Sequence, residues 1–303
     1  MKNRLKDFCA SIDIEFVGIA PVGPYWELEK TLQARIDKGQ YTEFHEPDIA
    51  RRIDPRLTLA SAQSIIVCLF PYYIGEREDA NISKYTHALD YHKVAITKLE
   101  QIGTFLEQRI EDFQYKAFAD TGPLSDRYLA YLAGLGFYGI NSHIINDKYG
   151  SYVFIGYMLT NYPFEADKPQ EVTCIKCGRC VRACPGHIIL GDFNIDPRYC
   201  KSYLTQKKGE LTEKELNIIS KTPLVFGCDV CQDVCPHNKS PQITNIAEFK
   251  TDLISKLNCE LLKAMSNKEF AKHYGTHAFS WRGKKILQRN LEIMRDNKTT
   301  DTN

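Results

Sequence analysis

Four stretches of the chain read as buried strands, with helical periodicities between them. IEFVGIAPV (14–22) carries β-branched and aromatic residues up to a Pro-Gly break. SIIVCLF (64–70) is continuously apolar up to Pro71, the pattern of a central strand covered on both faces. YKAFAD (115–120) ends on an acid, and SYVFIGYMLT (151–160) is apolar again. Residues 2–12 and 26–39 have helical spacing, the second with Gly39 as a stop signal. Residues 90–110 place Val94, Leu99, Ile102, Leu106 and Ile110 at three-to-five spacings, a long helix with one buried stripe. After a Gly122-Pro123 turn, Ser125 opens another helix with Asp126 in its first turn. EPDIARRIDPRL (46–57), polar and bracketed by prolines, reads as a loop. This alternation makes residues 1–165 one α/β or α+β domain. Beyond residue 240, FKTDLISKLNCELLKAM (249–265) and NKEFAKHYG (267–275) read as helical, and 280–297 as a final helix.

Between about 166 and 240 cysteine spacing replaces the apolar pattern. Cys174, Cys177, Cys180 and Cys184, followed by Pro185, form the run C-x2-C-x2-C-x3-C-P that bacterial ferredoxins use for 4Fe-4S clusters. Cys228, Cys231 and Cys235, followed by Pro236, repeat the rhythm with one thiolate fewer, which Cys200 can supply. In such pairs the last cysteine of each run serves the other cluster. One cluster is therefore assigned Cys174, Cys177, Cys180 and Cys235, and the other Cys184, Cys200, Cys228 and Cys231. Zinc favours isolated sets of four ligands, and disulfides belong to secreted chains, so both are weaker readings. Cys9, Cys68 and Cys259 stand alone, as small buried side chains do.

The 303 residues, 43% hydrophobic and 25% charged, suffice for one large or two medium domains with a real core. A formal net charge of +1 provides no global field for nucleic acid or membrane. The sequence shows neither a bilayer-length apolar run nor a secretory h-region, so a cytoplasmic protein without a membrane is expected. G-x-G-x-x-G and P-loop fingerprints are absent. Paired clusters pass single electrons from a donor to an acceptor, which the first domain should hold. Asp120 is the candidate there, since ligands of α/β sheets gather at the carboxyl ends of strands. A helix-capping or turn acid is the plain alternative.

RRIDPRLTLASAQSI (51–65), DYHKV (90–94), DTGPLSDR (120–127), YGSYVFIGYMLTNYPFE (149–165), CKSYLTQKKG (200–209), FGCDVCQDVCPHNK (226–239) and SWRGKKILQRN (280–290) appear in the order found in epoxyqueuosine reductases. The chain resembles that family over most of its length. The resemblance implies an α+β fold: a nitroreductase-like cobalamin-binding domain (1–165), a ferredoxin-like double 4Fe-4S domain (166–240) and a helical, basic C-terminal segment (241–303) that contacts tRNA. It implies reduction of epoxyqueuosine to queuosine at the wobble position of tRNA, using cob(I)alamin fed by the clusters and a proton from Asp120. Burial beside an apolar corrin is expected to keep that acid protonated near neutral pH. The resemblance places base-off cobalamin against Arg52, Ser83, Asp120, Ile144, Ile155, Gln206, Cys228 and Asp229. D-x-H-x-x-G, the loop of His-on corrinoid proteins, is absent, because Asp90-Tyr91-His92 continues into Lys93 and Val94. Ile140 stands where family members often carry Lys, and the chain stops before the HEAT-like repeat of longer members, which implies a weaker grip on tRNA.

Between Phe270 and Asn290 there are five Lys or Arg and no acidic residue, with Arg282, Lys284, Lys285 and Arg289 around a helix start. Such a start with nearby cations suits phosphate, and Lys208 could extend it; a solvated face is the plain reading. A soluble donor such as flavodoxin or ferredoxin and a monomeric state complete the expectation. The rivals are a reductive dehalogenase-like corrinoid enzyme acting on a small molecule, and a non-catalytic iron-sulfur electron carrier or corrinoid reactivator.

Overall fold

A computed structural model describes residues 1–300, with side chains as far as Arg295. The first region runs through α1 (Lys2–Ser11), β1 (Phe16–Pro21), α2 (Trp26–Asp37), β2 (Ser64–Pro71), α3 (Tyr91–Glu107), β3 (Tyr115–Ala119), α4 (Asp126–Leu132) and β4 (Val153–Thr160), close to the spans the apolar pattern predicts. The strands lie in the order β1-β2-β4-β3, and every pairing is antiparallel. The region is therefore α+β. The carboxyl-end rule that nominated Asp120 applies to parallel sheets, so its position here has another cause.

β2 is buried along its whole length because both faces of the sheet are covered. Ile66, Cys68 and Phe70 face a core shared with Leu5 of α1 and Val94, Leu99, Ile102 and Leu106 of α3. Their neighbours Ile65, Val67 and Leu69 face the opposite core, with Leu32 of α2 and Leu129 and Ala130 of α4. Strand alternation thus splits one apolar run between two layers. Lys98 is buried within the α3 stripe, its Nζ donating to the Ile12 carbonyl at 3.0 Å and pairing with Glu248 at 3.2 Å.

Two stretches depart from the sequence reading. Residues 46–57 hold a one-turn helix, Ile49–Ile53, and a 3-10 turn, Pro55–Leu57, because Asp48 and Asp54 cap them by accepting from Arg51 N and Arg56 N. In 249–265 only Cys259–Ala264 is α-helical. There, backbone pairing with residues 81–87 overrides the periodicity: Ile254 N donates to His87 O at 2.8 Å, and Asn81 N to Ser255 O at 3.0 Å.

The cysteine-rich region is seated on the sheet through buried polar contacts. Asn238 accepts from Ser151 N at 2.8 Å, and Gln232 Nε2 donates to Ser151 O at 2.9 Å, at the entry to β4. The C-terminal helices Asn267–Tyr274 and Lys284–Thr300 pack around Ile82, Val225 and Phe226, whereas Ile246 and Phe249 enter the α3 core. The segment after residue 240 is therefore spread over both preceding regions. No helix among the described residues is long and apolar enough to cross a membrane.

Candidate active site

The β3–α4 connection aims Asp120 at a cavity between the sheet and the cysteine-rich region. Asp120 adopts a left-handed backbone (φ 61°), which aspartate tolerates better than most residues, and Thr121 N closes the turn on Ala119 O at 2.7 Å. Its own N–H donates to Asp126 Oδ2 at 3.1 Å. The α3 start supplies the other partners. Asp90 caps that helix, so Tyr91 and His92 occupy its first turn. Tyr91 OH donates to Asp120 Oδ2 at 3.0 Å, and His92 Nε2 lies 3.2 Å from the same oxygen. His92 Nδ1 lies 2.7 Å from Asp90 Oδ1, which places the imidazole between two carboxylates.

This chain of groups sets the charges. Burial alone would lower His92, but hydrogen bonds to Asp120 and Asp90 raise it to about 9. Burial alone would raise Asp120, but hydrogen bonds from His92 and Tyr91 outweigh it and hold the carboxyl below its ordinary value. With these partners Asp120 favours its ionised form, whereas the expectation of a protonated acid rests on burial beside a bound corrin. The exchangeable protons sit next to it: on His92, and on Asp126, which burial and the Asp120 charge push up to about 7. The Asp120 side chain keeps 64% of its surface accessible, and it lines both chambers described next.

A cavity of about 410 Å³ is lined by Tyr72, Tyr85, Tyr91, Phe154 and Ile155 and by Cys184, Cys200, Cys228 and Cys231. A second chamber of about 950 Å³ shares Phe44, Asp120, Asp126 and Arg127 with it and extends past Arg35 and Arg52. The remaining cysteines, Cys174, Cys177, Cys180 and Cys235, line a small separate cavity with Ile140 and Asn141. The eight cysteines thus fall into the two crossed groups that the spacing predicts as ligand sets. Among the described residues, no three His, Cys, Asp or Glu side chains converge as ligands of a single ion would.

Of the residues placed against cobalamin by resemblance, Asp120, Ile155, Gln206 and Cys228 line the first cavity. Arg52 lines the second chamber, its Nε buried without a partner. Ser83 and Asp229 stand behind the wall, hydrogen-bonded to each other, with Lys84 N donating to Asp229 at 2.8 Å. Ile144 packs in the core beneath α4. Ile140 is buried against the first cysteine group, away from the main cavity.

Three of the proposed tRNA cations are engaged within the protein. Arg282 pairs with Glu43 at 2.7 Å, Lys284 donates to Met265 O, and Arg289 donates to Lys207 O at 2.9 Å and Gly209 O at 3.0 Å. Lys208 and Lys285 are exposed. Sequence reasoning missed His92, Tyr91 and Asp126 as members of the site, although DYHKV and DTGPLSDR both stood out; the missing signal was the contact between the two motifs, His92 meeting Asp120 across 28 residues.

Comparison with known proteins gives a consistent result. Residues 173–238 match the family described as 4Fe-4S double cluster binding domain, and residues 52–121 the family described as epoxyqueuosine reductase QueG, DUF1730. Epoxyqueuosine reductase of Bacillus cereus is 36% identical over 302 residues, covering 96% of this chain and 78% of that protein. The structure of epoxyqueuosine reductase from Streptococcus thermophilus superposes with a TM-score of 0.90 at 33% identity, covering 98% of this chain and 81% of that one. A crystal structure of epoxyqueuosine reductase with a tRNA-Tyr epoxyqueuosine-modified stem loop superposes with a TM-score of 0.91 at 34% identity, covering 97% and 80%.

Proposed function

The chain belongs to the epoxyqueuosine reductase family, and from that premise we propose that it reduces epoxyqueuosine to queuosine in tRNA. Converting an epoxide to an alkene consumes two electrons and two protons and releases water. The observation that carries the reading is a cavity lined both by a cysteine group and by Asp120, whose carboxylate is in contact with His92. Electrons and protons can therefore reach the same cavity.

The cysteine groups support one 4Fe-4S cluster on Cys174, Cys177, Cys180 and Cys235, and a second on Cys184, Cys200, Cys228 and Cys231. The cysteines of the second line the cavity, so a cluster held there would be the one to deliver electrons into it. Cobalamin is the cofactor that the family resemblance implies, and the lining fits it: aromatic and aliphatic faces for a macrocycle, with polar groups at the edges. Ile155, Gln206 and Cys228 would border it, with Ser83 and Asp229 supporting that wall. When bound, it supplies a strongly reducing nucleophile for the epoxide carbon. His143 lines the same cavity but is kept neutral, because burial pushes it to about 3, and its Nε2 lies 3.7 Å from Cys231 Sγ. That contact ties it to the cysteine wall, and a base-off corrinoid without a histidine ligand suits this arrangement.

An epoxide oxygen leaves poorly as an alkoxide, and a positioned proton donor contributes about 10² to 10⁴ in rate. Asp120 holds the position next to the oxygen, and protonated His92 recharges it through the 3.2 Å contact. Asp90 stabilises the imidazolium, and Tyr91 orients the Asp120 carboxylate. A soluble one-electron donor such as flavodoxin or ferredoxin would supply the clusters. A carrier or reactivator without its own substrate would have no use for the proton chain. Asp120→Asn tests the reading: tRNA binding should survive while turnover falls about 100-fold or more. Turnover within about threefold of the parent would reduce Asp120 to a turn residue.

A further inference from the structure

Exposed aromatic rings gather at the rim of the cavity, and the chemistry above leaves them unused. Trp281 keeps 55% of its surface exposed and Phe44 46%. They come from segments 237 positions apart, yet their ring centroids lie 5.7 Å from each other, and Phe44 meets Tyr203 edge-on at 5.3 Å. Clustered apolar surface of this kind marks a contact site more often than scattered exposure does.

The rings are held in place. Trp281 Nε1 donates to Gln206 Oε1 at 2.9 Å. The Arg282 guanidinium lies 4.0 Å from the Trp281 ring centre and 5.1 Å from that of Phe44, and Glu43 anchors it at 2.7 Å. Arg282 therefore braces the aromatic pair. Phe44, Tyr203 and Gln206 also line the cavity that reaches Asp120, so the platform continues the rim of the reaction site.

The occupant must be flat, must tolerate both apolar and cationic neighbours, and must sit next to whatever enters the cavity. Unpaired nucleobases meet all three requirements, because each has a π face that stacks on aromatic rings and guanidinium planes. Exposed Lys208 and Lys285, close in sequence to Gln206 and Trp281, are available to the flanking phosphates. The geometry points to a stacking platform: Trp281 and Phe44 receive a base neighbouring the wobble nucleotide when that nucleotide enters the cavity. This inference rests on the tRNA reading above.

The test uses an anticodon stem loop with each neighbour of the wobble nucleotide either intact or abasic. Removing the stacked base should weaken binding to the parent protein about tenfold or more. Trp281→Ala and Phe44→Ala should bind the intact loop correspondingly weakly, and the abasic change should then cost them little further. Trp281→Phe should retain most of the affinity. Iron content and cobalamin binding, measured on every variant, report that the fold is intact. The platform is overturned if both alanine variants bind the intact loop as the parent does, or if the abasic loss is the same with and without Trp281. In those cases the parent still converts epoxyqueuosine. A parent that binds neither loop and converts nothing overturns the tRNA reading along with the platform.

Discussion

Replacing Asp120 with Asn keeps the size of the side chain and removes one of the two charges flanking His92. Both contacts are hydrogen bonds, 2.7 Å to Asp90 and 3.2 Å to Asp120, and together they raise His92 from 6.5 to about 9. At about 1.36 kcal/mol per pH unit, that rise corresponds to about 3.4 kcal/mol of preference for the imidazolium. His92 is 34% exposed, so solvent screening leaves roughly half of it. Loss of the Asp120 charge should then lower His92 by roughly half a pH unit, with the Asp90 contact holding the rest. The sign is fixed: a raised histidine stabilises the fold fully below about 6.5 and loses that contribution as pH rises through about 9. Charges elsewhere around the pair are Lys93 next to Asp90 and Arg127 near Asp120, with Tyr91 and Asp126 as further titratable neighbours. Histidine-selective NMR across pH, with His92→Gln for assignment, measures the change directly. A parent His92 that titrates near 6.5, or one that Asp120→Asn leaves unmoved, would refute the proton chain.

Four other outcomes follow from the same geometry. Cys200→Ser should remove the cavity-side cluster and spare the other, halving an iron content of about eight per chain; unchanged iron would break the crossed ligand assignment. Added cobalamin should show a base-off spectrum, and a histidine-ligated spectrum would contradict the tie between His143 and Cys231. Lys208→Ala with Lys285→Ala should flatten the salt dependence of tRNA binding by about 0.7 to 0.9 in log-log slope per lost phosphate contact. Arg289→Ala should instead lower thermal stability, since its guanidinium holds the carbonyls of Lys207 and Gly209.

The secondary structure of the first 160 residues was legible because strands covered on both faces leave continuous apolar runs, as in 64–70, and amphipathic helices leave stripes, as in 90–110. Sheet direction was not legible, since nothing local to β2 or β4 records that they run antiparallel. The helical reading of 249–265 failed for a related reason: Ile254 and Leu257 sit at helical spacing, but Ile254 N donates to the His87 carbonyl and Leu257 N to the Asn81 side chain, both far away in the chain. The crossed grouping of the cysteines was proposed from spacing, and the same two groups of four line separate cavities. The proton chain was not legible: Asp90 and His92 are two positions apart, but their relation to Asp120 exists only once α3 packs beside β3. Likewise, counting cations around residue 284 gave no sign that Arg282, Lys284 and Arg289 already had partners inside the protein.

The central claim is tested most directly by the nucleosides themselves. Protein with reconstituted clusters and cobalamin, supplied with a low-potential reductant, is incubated with tRNA carrying epoxyqueuosine, and the digested nucleosides are analysed by mass. The account predicts that epoxyqueuosine disappears as queuosine, lighter by one oxygen, accumulates. Unchanged epoxyqueuosine in the presence of both intact clusters and bound cobalamin would contradict it.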